Sequence, residues 1–239
     1  MKKSSRSLFI IGLLVFVVGA LISVNSFAAD VDVYAEGAYT ETDLAVYIYA
    51  DINNLNILSA GVKLTYNSSE LTVTSAEKNE SVWFLGNESY MDTDISTVII
   101  CGKLDTSDEG VHVLDGVSGN RVLLGKVLFN RTENSMPFTP TLSIDYGKRG
   151  PEGKYKKFVA TYGTVLDNEA SGVAFVSITV RKRGDAKGNG DITMADAMFV
   201  KHMFQSGLPY VCYADANDDE KITQQFPLTT LPIIFYHIL

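Results

Sequence analysis

Between Val31 and Val180 the sequence is a succession of short runs of β-branched and aromatic residues, each bounded by Gly, Asn, Asp, Ser or Pro, with hardly a segment of helical period. Strands this short bury their apolar faces by stacking sheet on sheet, so the pattern implies an all-β sandwich. Strands are expected near Val31 to Ala38, Asp43 to Ile52, Ala60 to Tyr66, Leu71 to Ala76, Ser96 to Gly102, Val122 to Arg131, Thr141 to Tyr146, Phe158 to Thr161 and Val173 to Val180. Nine strands over about 150 residues suit a two-sheet jelly roll. Alternation in the third sends Ala60, Val62, Leu64 and Tyr66 to one face and Gly61, Lys63 and Thr65 to the other, so the first set is expected in the core.

The chain opens on Met1, Lys2, Lys3 and Arg6 and then runs uncharged from Leu8 to Val24, the basic and apolar regions of an export signal. Ser26 and Ala28 are the small residues that cleavage requires, which predicts a mature chain from Ala29 and a secreted protein; an uncleaved anchor is the alternative. Without residues 1–28, 17 basic residues face 28 acidic ones, a net charge of about −11. That surface argues against nucleic acid and anionic membrane as partners. Cys101 lies in an apolar run and Cys212 in the tail, so they are not expected to pair; two Cys and three scattered His also exclude a structural zinc site.

The tail is internally duplicated, with GDAKGNGDIT from Gly184 and ADANDDEKIT from Ala214. A hard cation such as Ca²⁺ takes its oxygens from positions 1, 3, 5, 7, 9 and 12 of a 12-residue loop, with Gly at 6 for the turn. In the first loop Asp185, Asn189, Asp191 (by its carbonyl), Thr193 and Asp196 fill positions 1, 5, 7, 9 and 12, and Gly190 is at 6. Lys187 at position 3 is the misfit and is expected to swing out. In the second loop Asp215, Asn217, Asp219, Lys221 (by its carbonyl) and Thr223 fill positions 1, 3, 5, 7 and 9. Glu220 replaces the turn glycine there and Phe226 the position-12 carboxylate, so this loop is expected to bind weakly or not at all. A helix is expected after Asp196, with Gly207 as its C-terminal cap.

Two resemblances follow from these motifs. The segments GVKLTYNSSELTV, STVIICGKL, NRVLLGKVLFN and GVAFVSITV resemble the strand pattern of cohesins, and the duplicated loop with its following helix resembles a dockerin. The first implies a face of the sandwich that receives a partner's dockerin; Ser59, Lys63 and Thr65 are its candidates, and the polar pair common in the family is replaced here by Ser59 and Gly61. The second implies that Met194, Ala195, Lys201 and His202 contact a cohesin. The corresponding positions of the second repeat fall on Gln224, Gln225, Leu231 and Pro232, where prolines interrupt the helix, so one usable face is expected; a frameshift would produce the same break.

The expected organisation is a signal peptide over 1–28, a cohesin-like sandwich over 29–180, a short linker over 181–184 and a dockerin-like module over 185–239. The fold class is mainly β, a nine-stranded jelly roll followed by a small α-helical calcium-loop module. The resemblance implies a non-catalytic adaptor of a cellulosome-type polysaccharide-degrading complex, a monomer outside that complex. The sandwich would bind dockerin-bearing enzymes or proteins, and the calcium-dependent tail would hold the chain in the cohesin of a larger, cell-surface-associated scaffoldin. The linker's reach of about 3.5 Å per residue disfavours capture of the tail by the chain's own receptor face. No carboxylate pair is set apart as in a glycosidase, and the Asp105 to Asp115 segment reads as a solvated loop. The alternative is a carbohydrate-binding sandwich delivered by a dockerin, in which Tyr34, Tyr47, Tyr49, Trp83, Phe84 and Tyr90 stack on the sugar rings of a polysaccharide.

Overall fold

The computed structural model describes residues 30–83, 89–92, 96–103, 116–147, 158–161, 164–166 and 172–215. The expected signal segment, the Asp105 to Asp115 segment and the residues beyond Asp215 lie outside them. Among the described residues ten strands appear: β1 (Val31–Tyr39), β2 (Asp43–Tyr66), β3 (Leu71–Lys78), β4 (Ser89–Asp92), β5 (Thr97–Lys103), β6 (Val117–Arg131), β7 (Leu142–Tyr146), β8 (Phe158–Ala160), β9 (Val165–Leu166) and β10 (Val173–Lys182). One helix follows, α1 (Met194–Gln205), and then a short 3₁₀ turn over Cys212–Ala214. No helix among the described residues is long and apolar enough to cross a membrane.

The count differs from the expected nine in two ways: the second and third expected strands are one, and two short strands, β4 and β9, are added. The Asn-rich stretch from Asn53 to Asn56 reads as a turn, but its backbone stays extended and carries β2 from one layer into the other. The first half of β2 pairs antiparallel with β1 and β6, and its second half with β5, β7 and β8. The outer partners are β10, parallel to β1, and β3, antiparallel to β6. Strands β4 and β9 are too short to show alternation in sequence and pair on β5 and β8. Strand β10 continues through Arg181 and Lys182 of the expected linker, so the tail leaves directly from a strand end.

A single core lies between the two layers. Val31, Val33 and Ala35 of β1 meet Leu44, Val46, Ile48 and Ala50 of β2, Val127 and Phe129 of β6, and Val62, Leu64 and Ile100 of the second layer. Ala60, Val62, Leu64 and Tyr66 are all buried, as the alternation demands. Register shifts between Ile52 and Ile57 and between Ile57 and Ser59 change the parity of β2, so even and odd positions both point inward at different places. Gly125 of β6 leaves no room for a side chain: a Cβ there would lie 2.6 Å from the Glu77 carbonyl oxygen and 2.7 Å from Ile100 Cγ2.

Candidate metal loop and interaction faces

The first tail loop begins where β10 ends. The Arg183 amide donates to the Tyr39 carbonyl and the Gly184 amide to the Tyr213 carbonyl, so the entrance of the loop is tied before the acidic residues begin. Asp185, 3% exposed, then organises the loop: Oδ1 accepts from the amides of Gly188 (2.7 Å) and Asn189 (3.0 Å), and Oδ2 from Gly190 (2.8 Å). Gly190 supports this turn with φ of +90°, where a side chain would be strained.

Asp196 closes the ring from the far end. It is 2% exposed, and its Oδ1 accepts from the Lys187 amide (3.0 Å) while Oδ2 accepts from the Thr193 amide and hydroxyl, both at 2.9 Å. Thr193 is also the N-cap of α1, its Oγ1 accepting from the Ala195 amide at 3.2 Å, so loop closure and helix initiation share one capping box. Burial pushes the Asp196 carboxyl up, but the amides of Lys187 and Thr193 and the Thr193 hydroxyl outweigh it and hold the group below the usual carboxylate value. The helix ends in a Schellman arrangement, with the Gly207 amide donating to Phe204 and the Leu208 amide to Met203.

The Asn189 side chain supplies the most specific observation. Its terminal amide atom beside the loop centre lies 3.1 Å from the Asp191 carbonyl oxygen and 3.2 Å from Asp185 Oδ1. Both neighbours are acceptors, so two arrangements satisfy the site: the NH₂ turned inward to donate to both, or the amide oxygen turned inward with a cation shared among the three oxygens. These atoms belong to positions 1, 5 and 7. Lys187 at position 3 is exposed, and only its amide enters the loop, which keeps the ammonium out of the centre. Among the described residues no point gathers three His, Cys, Asp or Glu side chains. The oxygens that converge come instead from one carboxylate, one amide and one main-chain carbonyl, a hard mixed set suited to calcium. Asp185, Asn189, Asp191, Thr193 and Asp196 thus lie on one closed loop, in which the Thr193 and Asp196 oxygens are engaged with each other and with loop amides.

Of the second loop only Asp215 is described; it is buried, with Oδ2 accepting from the Tyr210 hydroxyl at 3.2 Å. Asn217, Asp219, Lys221 and Thr223 lie outside the described residues, as does the Phe226 substitution. On α1, Asp196, Val200 and Met203 turn inward, while Met194, Ala195, Lys201 and His202 are exposed. Met198, at 68% exposure, and Phe199, at 40%, flank them, so the outward side of the helix carries apolar surface beside its polar groups.

On the sandwich, Ser59, Lys63 and Thr65 are half-buried on the side of β2 opposite its core residues. Lys63 Nζ reaches Asp145 Oδ2 of β7 at 3.1 Å. This candidate face belongs to the second layer. The tail sits elsewhere, on the outer face of the first layer, where Ala38, Ala45, Tyr47, Tyr49 and Cys212 form one buried cluster bordered by Tyr34, Leu123, Leu128, Tyr210 and Tyr213.

That contact is what the sequence reading missed, although a signal was present. Every residue from Leu44 to Ala50 is apolar or aromatic, so both faces of the strand are apolar, and a sheet with one wet face would alternate. The second face is covered by the chain's own tail. Arg121 pins the edge of the contact: its guanidinium donates to both Glu36 carboxylate oxygens (2.6 and 2.9 Å) and to the Tyr210 carbonyl (2.6 Å), and it lies 4.4 Å from the Tyr49 ring centre. Cys212 is a free thiol, pushed up to about 12 by burial. The same contact takes Tyr47 and Tyr49 out of the sugar-stacking set, and the core between the layers takes Trp83. Tyr47 and Tyr49 are 3% and 6% exposed, and Trp83, 1% exposed, donates its indole N–H to the Leu123 carbonyl. Tyr34 tilts on Tyr49. Phe84 and the Tyr90 side chain lie outside the described residues.

No family model and no curated protein matches this sequence. The solved structures it is similar to are cohesin modules. The third cohesin of ScaC from Acetivibrio cellulolyticus, in complex with the ScaB dockerin, is 12% identical with a TM-score of 0.42, covering 63% of this chain and 98% of that one. The sixth cohesin of scaffoldin B from the same organism, in complex with a Cel5 dockerin, is 14% identical with a TM-score of 0.43, over 64% and 99%. The seventh ScaB type I cohesin from Pseudobacteroides cellulosolvens is 16% identical with a TM-score of 0.41, over 64% and 92%.

Proposed function

We propose that this chain is a secreted, non-catalytic adaptor: the outer face of its second layer, around Ser59, Lys63 and Thr65, receives a partner's dockerin, and its own tail docks calcium-dependently into the cohesin of a larger scaffoldin. The observation that carries this reading is spatial. The tail rests on the outer face of the first layer, against Ala45 and Tyr47, while the candidate receptor residues lie on the outward side of the second. Both recognition surfaces can therefore be engaged at once, which an adaptor requires and self-capture would prevent.

The calcium part rests on the closed first loop. Asp185, Asn189, the Asp191 carbonyl, Thr193 and Asp196 would hold the ion, and its charge would fix the loop and the start of α1. Met194, Ala195, Lys201 and His202 are outward on that helix, where a cohesin can reach them. Calorimetry of the full chain with calcium is expected to show one strong site that Asp185→Ala removes. Pull-downs on purified dockerins, purified cohesins and insoluble polysaccharide then test the partners. Retention by polysaccharide alone would sink the adaptor reading.

A further inference from the structure

The tail does not hang from the sandwich. Tyr47 and Tyr49 point away from the core of their own sheet, yet they are as buried as core residues because the Tyr210–Ala214 segment covers them. Two arginines hold this seat. Arg121 joins Glu36 of β1 to the Tyr210 carbonyl, as described above. Arg181, near the end of β10, reaches the metal loop itself: its Nη1 donates to the Ala186 carbonyl at 3.2 Å, and its guanidinium carbon lies 4.4 Å from the centre of the Tyr213 ring. Gly188 leaves room for it, since a Cβ there would sit 2.6 Å from Arg181 Cζ.

The backbone that Arg181 touches is the backbone that Asp185 holds. Ala186 follows Asp185 directly, and the Gly188 amide donates to Asp185 Oδ1 at 2.7 Å. A cation drawing Asp185, Asn189 and the Asp191 carbonyl together fixes residues 186–188 in the shape that meets Arg181, and a seated tail presents those residues already in that shape. Two events that favour the same conformation must each strengthen the other by the same factor.

We propose that the outer face of the first layer, formed by β1, β2 and β6, is a docking surface for the chain's own tail, and that calcium in the first loop and the seated tail stabilise each other through Arg181. The proposal rests on the calcium reading of residues 185–196. Its consequence is that the two recognition faces of the adaptor are held in fixed relation when calcium is bound and loosened when it is removed.

Cys212 reports on the seat, because its thiol is buried beneath the contact. The full chain is labelled with N-ethylmaleimide in excess calcium and in chelator, and peptide mass spectrometry separates Cys212 from Cys101. In the wild type, calcium is expected to slow Cys212 labelling by about five-fold or more. In Arg181→Met the rate should be the same in both conditions, while calorimetry still finds calcium bound about five-fold more weakly. Arg181→Lys, which keeps the charge and the aliphatic stem but loses the planar fork that meets Ala186 and Tyr213, should behave likewise and covers the case in which the methionine variant fails to fold. A wild type that binds calcium but labels at one rate in both conditions overturns the coupling. A wild type with no calcium heat that Asp185→Ala abolishes overturns the calcium reading instead, and the coupling with it.

Discussion

Replacing Asp196 tests whether one side chain joins the metal loop to the helix. Its carboxylate accepts from the Lys187 amide, the Thr193 amide and the Thr193 hydroxyl at 2.9 to 3.0 Å. A hydrogen bond to a charged group contributes about 1.5–3 kcal/mol net. Lys187 is exposed and Thr193 half-buried, so water recovers part of each loss in Asp196→Ala. A decrease of about 2–4 kcal/mol in the local stability of the module is expected, near the upper end for a lost N-cap because loop closure goes with it. Native-state hydrogen exchange read at Met203 and Phe204, which are remote from the deleted carboxylate, should accelerate by about 30-fold or more. The pH dependence has a definite sign. The folded carboxyl lies below its ordinary value of 3.8, so its contribution is complete above that value and is lost as the pH falls through the folded value. Asp196→Asn should lose that acid-sensitive component while keeping one acceptor oxygen. Unchanged protection at Met203 and Phe204 in the alanine variant would refute the idea that this carboxylate holds loop and helix together.

Three further outcomes are expected. Arg121→Met leaves the Glu36 carboxylate, 12% exposed, without its cation and should cost about 3 kcal/mol in urea unfolding, whereas Glu36→Gln with Arg121→Met should cost clearly less; equal losses would contradict the pairing argument. Gly125→Ala places a methyl 2.6 Å from the Glu77 carbonyl and 2.7 Å from Ile100, so a loss of about 1–3 kcal/mol should appear as a lower Tm, and an unchanged melt would show that the strands spread freely there. Burial, and then the nearby Asp51, raise the Asp32 carboxyl above 3.8. Its charge therefore opposes folding at neutral pH, and Asp32→Asn should stabilise the chain at pH 7 by an increment that fades as the pH falls through the raised folded value and is gone below 3.8. A variant destabilised at pH 7 would reverse that sign.

The inward residues of each strand were legible because a pleated strand sends alternate side chains to opposite faces, and Ala60, Val62, Leu64 and Tyr66 obey that rule without help from their neighbours. The closed shape of the first tail loop was legible for a similar reason: its acidic residues and its turn glycine are placed by spacing within 12 residues. Gly207 could be placed at the helix end on the same local grounds.

Long-range contact decided the rest. Asn53 to Asn56 carry turn-forming residues, but pairing on both sides keeps β2 continuous across two layers. Tyr47 and Tyr49, which read as sugar platforms, are covered by a segment some 160 residues away, through the Arg121 fork and the Tyr210–Ala214 turn. Spacing encodes what a residue offers to its near neighbours. What covers an outward Tyr47, and which carbonyl an Arg181 finds, depends on where the packed chain returns.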